Sequence, residues 1–247
     1  MKKSKDFNPA YNKKRNLFIA QFSVLLAIEI IFCFTPLGSL PAIGPIVATL
    51  AMIPVVITAV MLGTAAGTLM GAFAGLFSFI VWTFMPPPLS VHMAFVFTPF
   101  YSLGGFQGNF GSVLICFVPR ILVGTVSGLS YRALSRKLSA KGIQSILSFS
   151  VSAILGSLVN TFGVMGGIWL FFGQQYASLD PDGRSILILI GLTILTSGLP
   201  EAAVSAIACS AVCKPLKTVL ARSGAKTAVK ANVQTDVQAD KTDMKND

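Results

Sequence analysis

Formal charge is almost absent from the interior of this chain, and that absence constrains the fold more than any motif. From Asn16 to Pro119 the sole formally charged side chain is Glu29. Basic residues gather instead at the ends: Lys2, Lys3, Lys5, Lys13, Lys14 and Arg15 at the start, and Lys214, Lys217, Arg222, Lys226, Lys230, Lys241 and Lys245 at the finish. A soluble domain carries about a quarter charged residues because its surface must face water; here the share is 11% in 247 residues, with 53% hydrophobic. Segregated charge of this kind predicts an all-α integral membrane bundle. The net charge of +10 sits in tails and one loop rather than on a folded basic face, so it suits an anionic lipid leaflet and not nucleic acid.

Six segments are apolar enough to be spans, given that a bilayer core takes about 20 helical residues. They run from Leu17 to Thr35, Ala48 to Leu62, Ala65 to Met85, Asn109 to Leu134, Ile143 to Phe172 and Ser185 to Cys213. The first is an uncleaved span rather than a signal peptide, being too long and interrupted by Glu29. Three prolines and two glycines between Thr35 and Pro45 break the chain after it, and Pro86-Pro87-Pro88 ends the third span. A connector without Lys or Arg then runs from Pro86 to Gly108 and holds His92 and several aromatics. The excess of Lys and Arg marks the cytoplasmic side. With six spans, both tails and the loop bearing Arg136, Lys137 and Lys141 share one side, which predicts both ends inside. The expected organisation is a basic tail at 1–16, a membrane domain at 17–215 and a polar, disordered tail at 216–247.

Apart from Arg132 at the cytoplasmic end of the fourth, three charged side chains lie within the spans: Glu29, Arg120 and Glu201. Ionisable groups in a membrane are costly unless paired or functional. Arg120 follows Pro119 at a depth of ~16 Å from the start of its helix, where its rigid fork can clamp a carboxylate. The rival reading is an ion pair with Glu29 or Glu201. Asn160-Thr161 on the fifth span falls at a similar depth, either as helix glue or as a second part of a small-molecule pocket. Trp82 fits interface anchoring or pocket lining, and Ser78 stands one turn before it as a further candidate. Gly63, Gly67, Gly71 and Gly75 form a smooth stripe on the third span, and Gly124 and Gly128 a second on the fourth, for close helix contact.

Other chemistries lack their residues. There is no Gly-x4-Gly-Lys-Ser/Thr loop for ATP and no Gly-x-Ser-x-Gly beside the single histidine. The cysteines Cys33, Cys116, Cys209 and Cys213 lie in apolar segments as small core residues. No catalytic residue, metal site or cofactor is expected.

Phe34-Thr35-Pro36-Leu37-Gly38, Gly44-Pro45-Ile46-Val47-Ala48-Thr49-Leu50, Ile53-Pro54-Val55, Val118-Pro119-Arg120-Ile121-Leu122, Gly156-Ser157-Leu158-Val159-Asn160-Thr161 and Pro200-Glu201-Ala202 occur in an order that resembles the S components of energy-coupling factor (ECF) vitamin transporters. That resemblance spans Leu17 to Cys213. It implies a six-helix subunit that binds a vitamin from outside and works with a transmembrane coupling subunit and two ATP-binding-cassette ATPases. It further implies a gate over the pocket in the segment of Gly38, Pro41, Gly44 and Pro45. Arg in the fourth helix with Asn-Thr in the fifth is similar to the pantothenate-type branch, with riboflavin the rival substrate. Ser23-x3-Ala27 stands where the family often has Ala-x3-Ala for docking the coupling subunit. A self-sufficient secondary carrier is the alternative from another class, although no internal repeat supports it.

Overall fold

The computed structural model describes residues 9–35, 50–103, 105–138, 143–178, 183 and 185–219. Its helices are α1 (Pro9–Phe34), α2 (Met52–Leu62), α3 (Thr64–Phe84), α4 (Phe110–Lys137), α5 (Ile143–Ala177) and α6 (Ile186–Val219). All but α2 are long and apolar enough to cross a membrane. Helix α2 has 11 residues, a rise of ~16 Å. The expected gate residues Gly38, Pro41, Gly44 and Pro45, the start of the predicted span at Ala48, and residues 1–8 and 220–247 of the two tails lie outside the described residues, whereas 9–16 and 216–219, expected as tail, belong to α1 and α6.

Local chemistry explains where the helices begin and bend. Pro54 sits in the first turn of α2, where its missing N–H would have no helical partner anyway. Gly63 makes the abrupt turn from α2 to α3 with φ of 101°, a conformation that glycine adopts without a Cβ clash. Asn109 caps α4: its Oδ1 accepts from the Gly111 amide at 2.7 Å, while Ser112 Oγ accepts from the Asn109 amide at 3.2 Å. The predicted end of the fifth span at Phe172 coincides with a non-helical break (φ −133°, ψ 17°), after which the helix resumes to Ala177. Helix α6 contains a π-helical stretch, Ile194–Gly198.

The two glycine stripes meet each other. A Cβ added to Gly71 would overlap the Arg120 carbonyl, one on Gly67 the side chain of Ala59, and one on Gly124 the Gly67 carbonyl. Gly75 completes the row against Phe117 and the Cys116 carbonyl at 3.1–3.3 Å. Backbone-to-backbone approach of this kind is how helices associate where lipid removes the hydrophobic driving force between them. Helix α4 is thereby held between α3 and α5, and a Cβ added to Gly163 of α5 would stand 3.0 Å from the Pro119 ring. Helix α2, buried from Met52 to Val60, fills the space behind them. Helix α1 lies at the edge, with Leu17, Ile19, Val24 and Ile31 exposed.

Buried apolar residues form two clusters. One joins α2 with Met70, Val123, Phe149, Ala153, Cys209 and Cys213. The other joins Met93–Phe97 of the connector with Ile115, Val164, Ile168, Phe172, Tyr176 and Leu189. The connector expected to be a loop is therefore a packed plug: a 3-10 helix (Pro88–Val96) followed by a two-residue-per-strand hairpin, β1 (Ser102–Leu103) and β2 (Phe106–Gln107). Its aromatic, uncharged composition fits that burial. Ser112 Oγ donates to the Phe95 carbonyl at 2.6 Å, and Thr83 Oγ1 to Thr98 Oγ1 at 2.8 Å, tying the plug to α4 and α3.

Gly71→Ala should destabilise the protein in detergent by about 1–3 kcal/mol through overpacking. Gly166→Ala, where an added Cβ meets nothing within 4 Å, should be neutral or stabilise by up to about 1 kcal/mol. Thermal unfolding of the two variants checks this; equal losses would contradict the stripe's role.

Candidate functional site

Charge and polarity reappear between the two apolar clusters. Along α4, Arg120 falls between Ile115 of one cluster and Val123 of the other; along α5, Ser157, Asn160 and Thr161 fall between Ala153 and Val164; along α6, Ser197 and Glu201 fall between Leu189 and Cys209. All are buried, Arg120, Asn160 and Glu201 to 5% exposure. Without water, each polar atom in such a layer must find a partner or carry a cost.

Arg120 owes its position to its neighbour. Pro119 has no N–H, which leaves the Ile115 carbonyl one turn back without its helical donor. Arg120 Nη1 supplies that bond at 3.0 Å, so the guanidinium folds along its own helix toward the connector. There it lies over the Phe97 ring, 5.4 Å from the centroid. Phe97 in turn stacks on Trp82, with centroids 4.7 Å apart and planes 24° from parallel. The result is a column of indole, phenyl and guanidinium drawn from α3, the connector and α4. A cation over an aromatic face is attracted by the ring quadrupole. Arg120 Nε is nevertheless buried with no hydrogen-bond partner.

On α5, Asn160 Nδ2 donates to Glu201 Oε1 at 3.4 Å, and Ser157 Oγ donates to the same oxygen at 3.5 Å. Thr161 Oγ1 donates to the Ser157 carbonyl at 3.2 Å, and its Cγ2 faces Gly198 of α6, where a Cβ would stand 2.8 Å away. The Asn160 Oδ1 is buried without a partner. Gly163, three residues on, touches Pro119, which brings this stretch of α5 against the stretch of α4 bearing Arg120.

Glu29 of α1 is fully buried. Its Oε1 accepts from Cys33 Sγ at 3.3 Å and its Oε2 has no partner. Among the described residues no ion pair joins Glu29 to Arg120. Trp82 is half-buried and stacks on Phe97, and Ser78 lies half-buried one turn before it. Trp169 by contrast is exposed. Ser23 and Ala27 are exposed on α1. Two contributors escaped sequence reasoning. Phe97 sits in a segment with no helical periodicity, though its aromatic-rich, charge-free surroundings were a signal; Ser157 stood inside the motif that ends in Asn160-Thr161 and was given no role of its own.

Arg120 Nε on α4 and Asn160 Oδ1 on the adjoining stretch of α5 are an open donor and an open acceptor, the complement of a solute with an anionic group and a hydrogen-bond donor. The aromatic column supplies an apolar wall.

Residues 17–213 match the family model described as ECF transporter, substrate-specific component. Over 169 residues the chain is 31% identical to the pantothenic acid transporter PanT of Lactococcus lactis subsp. cremoris, an overlap covering 68% of this chain and 76% of that one. In three dimensions it is similar to the solved structure of ThiT from Listeria monocytogenes, with a TM-score of 0.54, 17% identity, and coverage of 81% of this chain and 97% of ThiT. At that identity the likeness speaks to the fold.

A group placed for a ligand should not be needed by the empty protein. Arg120→Met should change the stability of the solute-free protein by less than about 2 kcal/mol, since it removes a buried unpartnered donor but reopens the Ile115 carbonyl. A loss of more than about 2 kcal/mol in thermal unfolding would mark Arg120 as structural.

Proposed function

This chain belongs to the family of ECF transporter substrate-specific components, and on that footing we propose that it captures pantothenate, with riboflavin the rival, and delivers it inward with ATP-driven partner subunits. It is a multi-pass protein of the cell membrane and a component of transport rather than an enzyme. The observation that carries the reading is Arg120: a buried guanidinium backed by an aromatic column, with a donor left over. Pantothenate has a carboxylate for that donor, and hydroxyl and amide hydrogens for the acceptors opposite. Planar, charge-assisted binding of a carboxylate is what arginine does best. The name of the relative PanT supports the same solute.

The full topology is six spans with both ends cytoplasmic. Five spans alone would put the two basic tails on opposite sides of the membrane, against the distribution of Lys and Arg. Helix α2 with the residues before it supplies the sixth crossing. The connector plug then faces outward, and Arg120 is reached from that side. A gate at Gly38, Pro41, Gly44 and Pro45, which lie outside the described residues, is part of this proposal.

With no phosphate loop of its own, the chain depends on partners for energy: a transmembrane coupling subunit and two ATP-binding-cassette ATPases. The exposed small residues Ser23 and Ala27 on the peripheral α1 suit close helix contact with the coupling subunit.

Titration of the detergent-purified chain with pantothenate, riboflavin and a small vitamin panel tests the proposal, with quenching of Trp82 as readout. One-to-one binding of pantothenate without ATP or partners is expected, and no uptake into liposomes by the chain alone. Tight riboflavin binding instead would replace the substrate. Uptake driven by the chain alone would contradict the capture role and favour a secondary carrier.

A further inference from the structure

We infer that Glu201 is a positioning residue: it fixes the Asn160 amide so that Oδ1 becomes an acceptor for a hydrogen-bond donor on the solute. The inference deepens the capture role proposed above and rests on it for the identity of that solute.

Hydrogen-bonding capacity settles the direction of the amide. Oε1 of Glu201 is placed as an acceptor, and an asparagine offers donors on one side and an acceptor on the other. Glu201 Oε1 already takes two donors, Asn160 Nδ2 and Ser157 Oγ. Turning the amide over would set its oxygen against the carboxylate, so Nδ2 must face Glu201 and Oδ1 must face away. That oxygen is buried and unpartnered, on the stretch of α5 that abuts Pro119 and hence Arg120. A buried acceptor left open is costly unless a ligand fills it.

The fold aims Glu201 at this task. The π turn over Ile194–Gly198 inserts an extra residue and rotates the remainder of α6 by about 100° relative to an unbroken helix. Gly198, at the end of that turn, lets α6 approach Thr161 more closely than a side chain would allow. Three residues later Glu201 meets Asn160. Such π bulges recur at functional sites. The site is therefore polarised, with a fixed donor on α4 and a fixed acceptor on α5. It selects a carboxylate that also carries a hydroxyl or amide hydrogen.

The test compares Glu201→Leu, Glu201→Gln and the unaltered chain, each titrated with pantothenate and with deoxy analogues lacking either hydroxyl. Glu201→Leu should weaken pantothenate about tenfold while binding of one deoxy analogue stays nearly constant, so that discrimination between them is lost. Glu201→Gln, which can still accept from Nδ2, should recover part of the loss. Equal weakening of pantothenate and both analogues would reduce Glu201 to a structural role and overturn the inference. A solute-free arm separates this from the choice of vitamin. In protein labelled with 15N-asparagine, the side-chain signal absent from Asn160→Gln identifies Asn160. That signal should move and exchange faster with water in Glu201→Leu; an unmoved signal overturns the inference whatever solute binds. Failure of the unaltered chain to bind pantothenate would instead overturn the substrate, leaving the solute-free arm to decide the role of Glu201.

Discussion

Everything in the site depends on how closely the backbone of α4 is gripped. Gly71 of α3 meets the Arg120 carbonyl on one side, and Gly163 of α5 meets Pro119 on the other. Neither contact involves the guanidinium, so the arginine is located by main-chain packing and its side chain remains available. In a bilayer, where apolar surface gains nothing by leaving lipid, close approach of small residues is the main source of such precision. Pro119 then turns a packing contact into chemistry. By removing one N–H it frees a carbonyl for Nη1, which directs the guanidinium along α4 to Phe97.

The second consequence is a layered interior. Two apolar clusters hold the ends of the bundle, and between them lies a buried polar layer in which Arg120 Nε and Asn160 Oδ1 have no partner. Folding alone would favour replacing these groups with apolar ones. Glu29 Oε2, Ser127 Oγ and Gln175 Oε1 are also buried without partners, but only in this layer do an open cationic donor and an open amide acceptor stand on adjoining helices, and local rules broken in this way are expected of a binding site. The aromatic plug belongs to the same design, since Met93–Phe97 seals one end while Phe97 reaches down to form the wall against Arg120 and Trp82.

Much of this was legible in the sequence, for physical reasons. Apolar length predicts spans because a bilayer sets a minimum, and five of the six lie within a few residues of where composition put them. The glycine stripes announced the α3–α4 contact, because four-residue spacing fixes a helix face. Arg120 and Asn160 stood out because polar groups are rare at that depth. What stayed hidden depends on tertiary approach. Phe97 lies in a segment without periodicity, and its partners Trp82 and Arg120 are distant in sequence. The bond between Asn160 and Glu201 depends on the π turn in α6; Gly198 and Pro200 mark that stretch as weak helix without specifying a π turn. Only that turn decides which way Glu201 faces.

The central claim is that Arg120 holds the carboxylate of the solute. The most direct measurement is a double-mutant cycle on the affinity: pantothenate against its neutral alcohol analogue, each bound to the unaltered chain and to Arg120→Met. The account predicts that the unaltered chain prefers the carboxylate by about 10- to 100-fold, in line with a charge-assisted hydrogen bond, and that Arg120→Met binds the two alike. Equal preference for the carboxylate in both proteins would contradict it, and would place the anion-binding group elsewhere in the bundle.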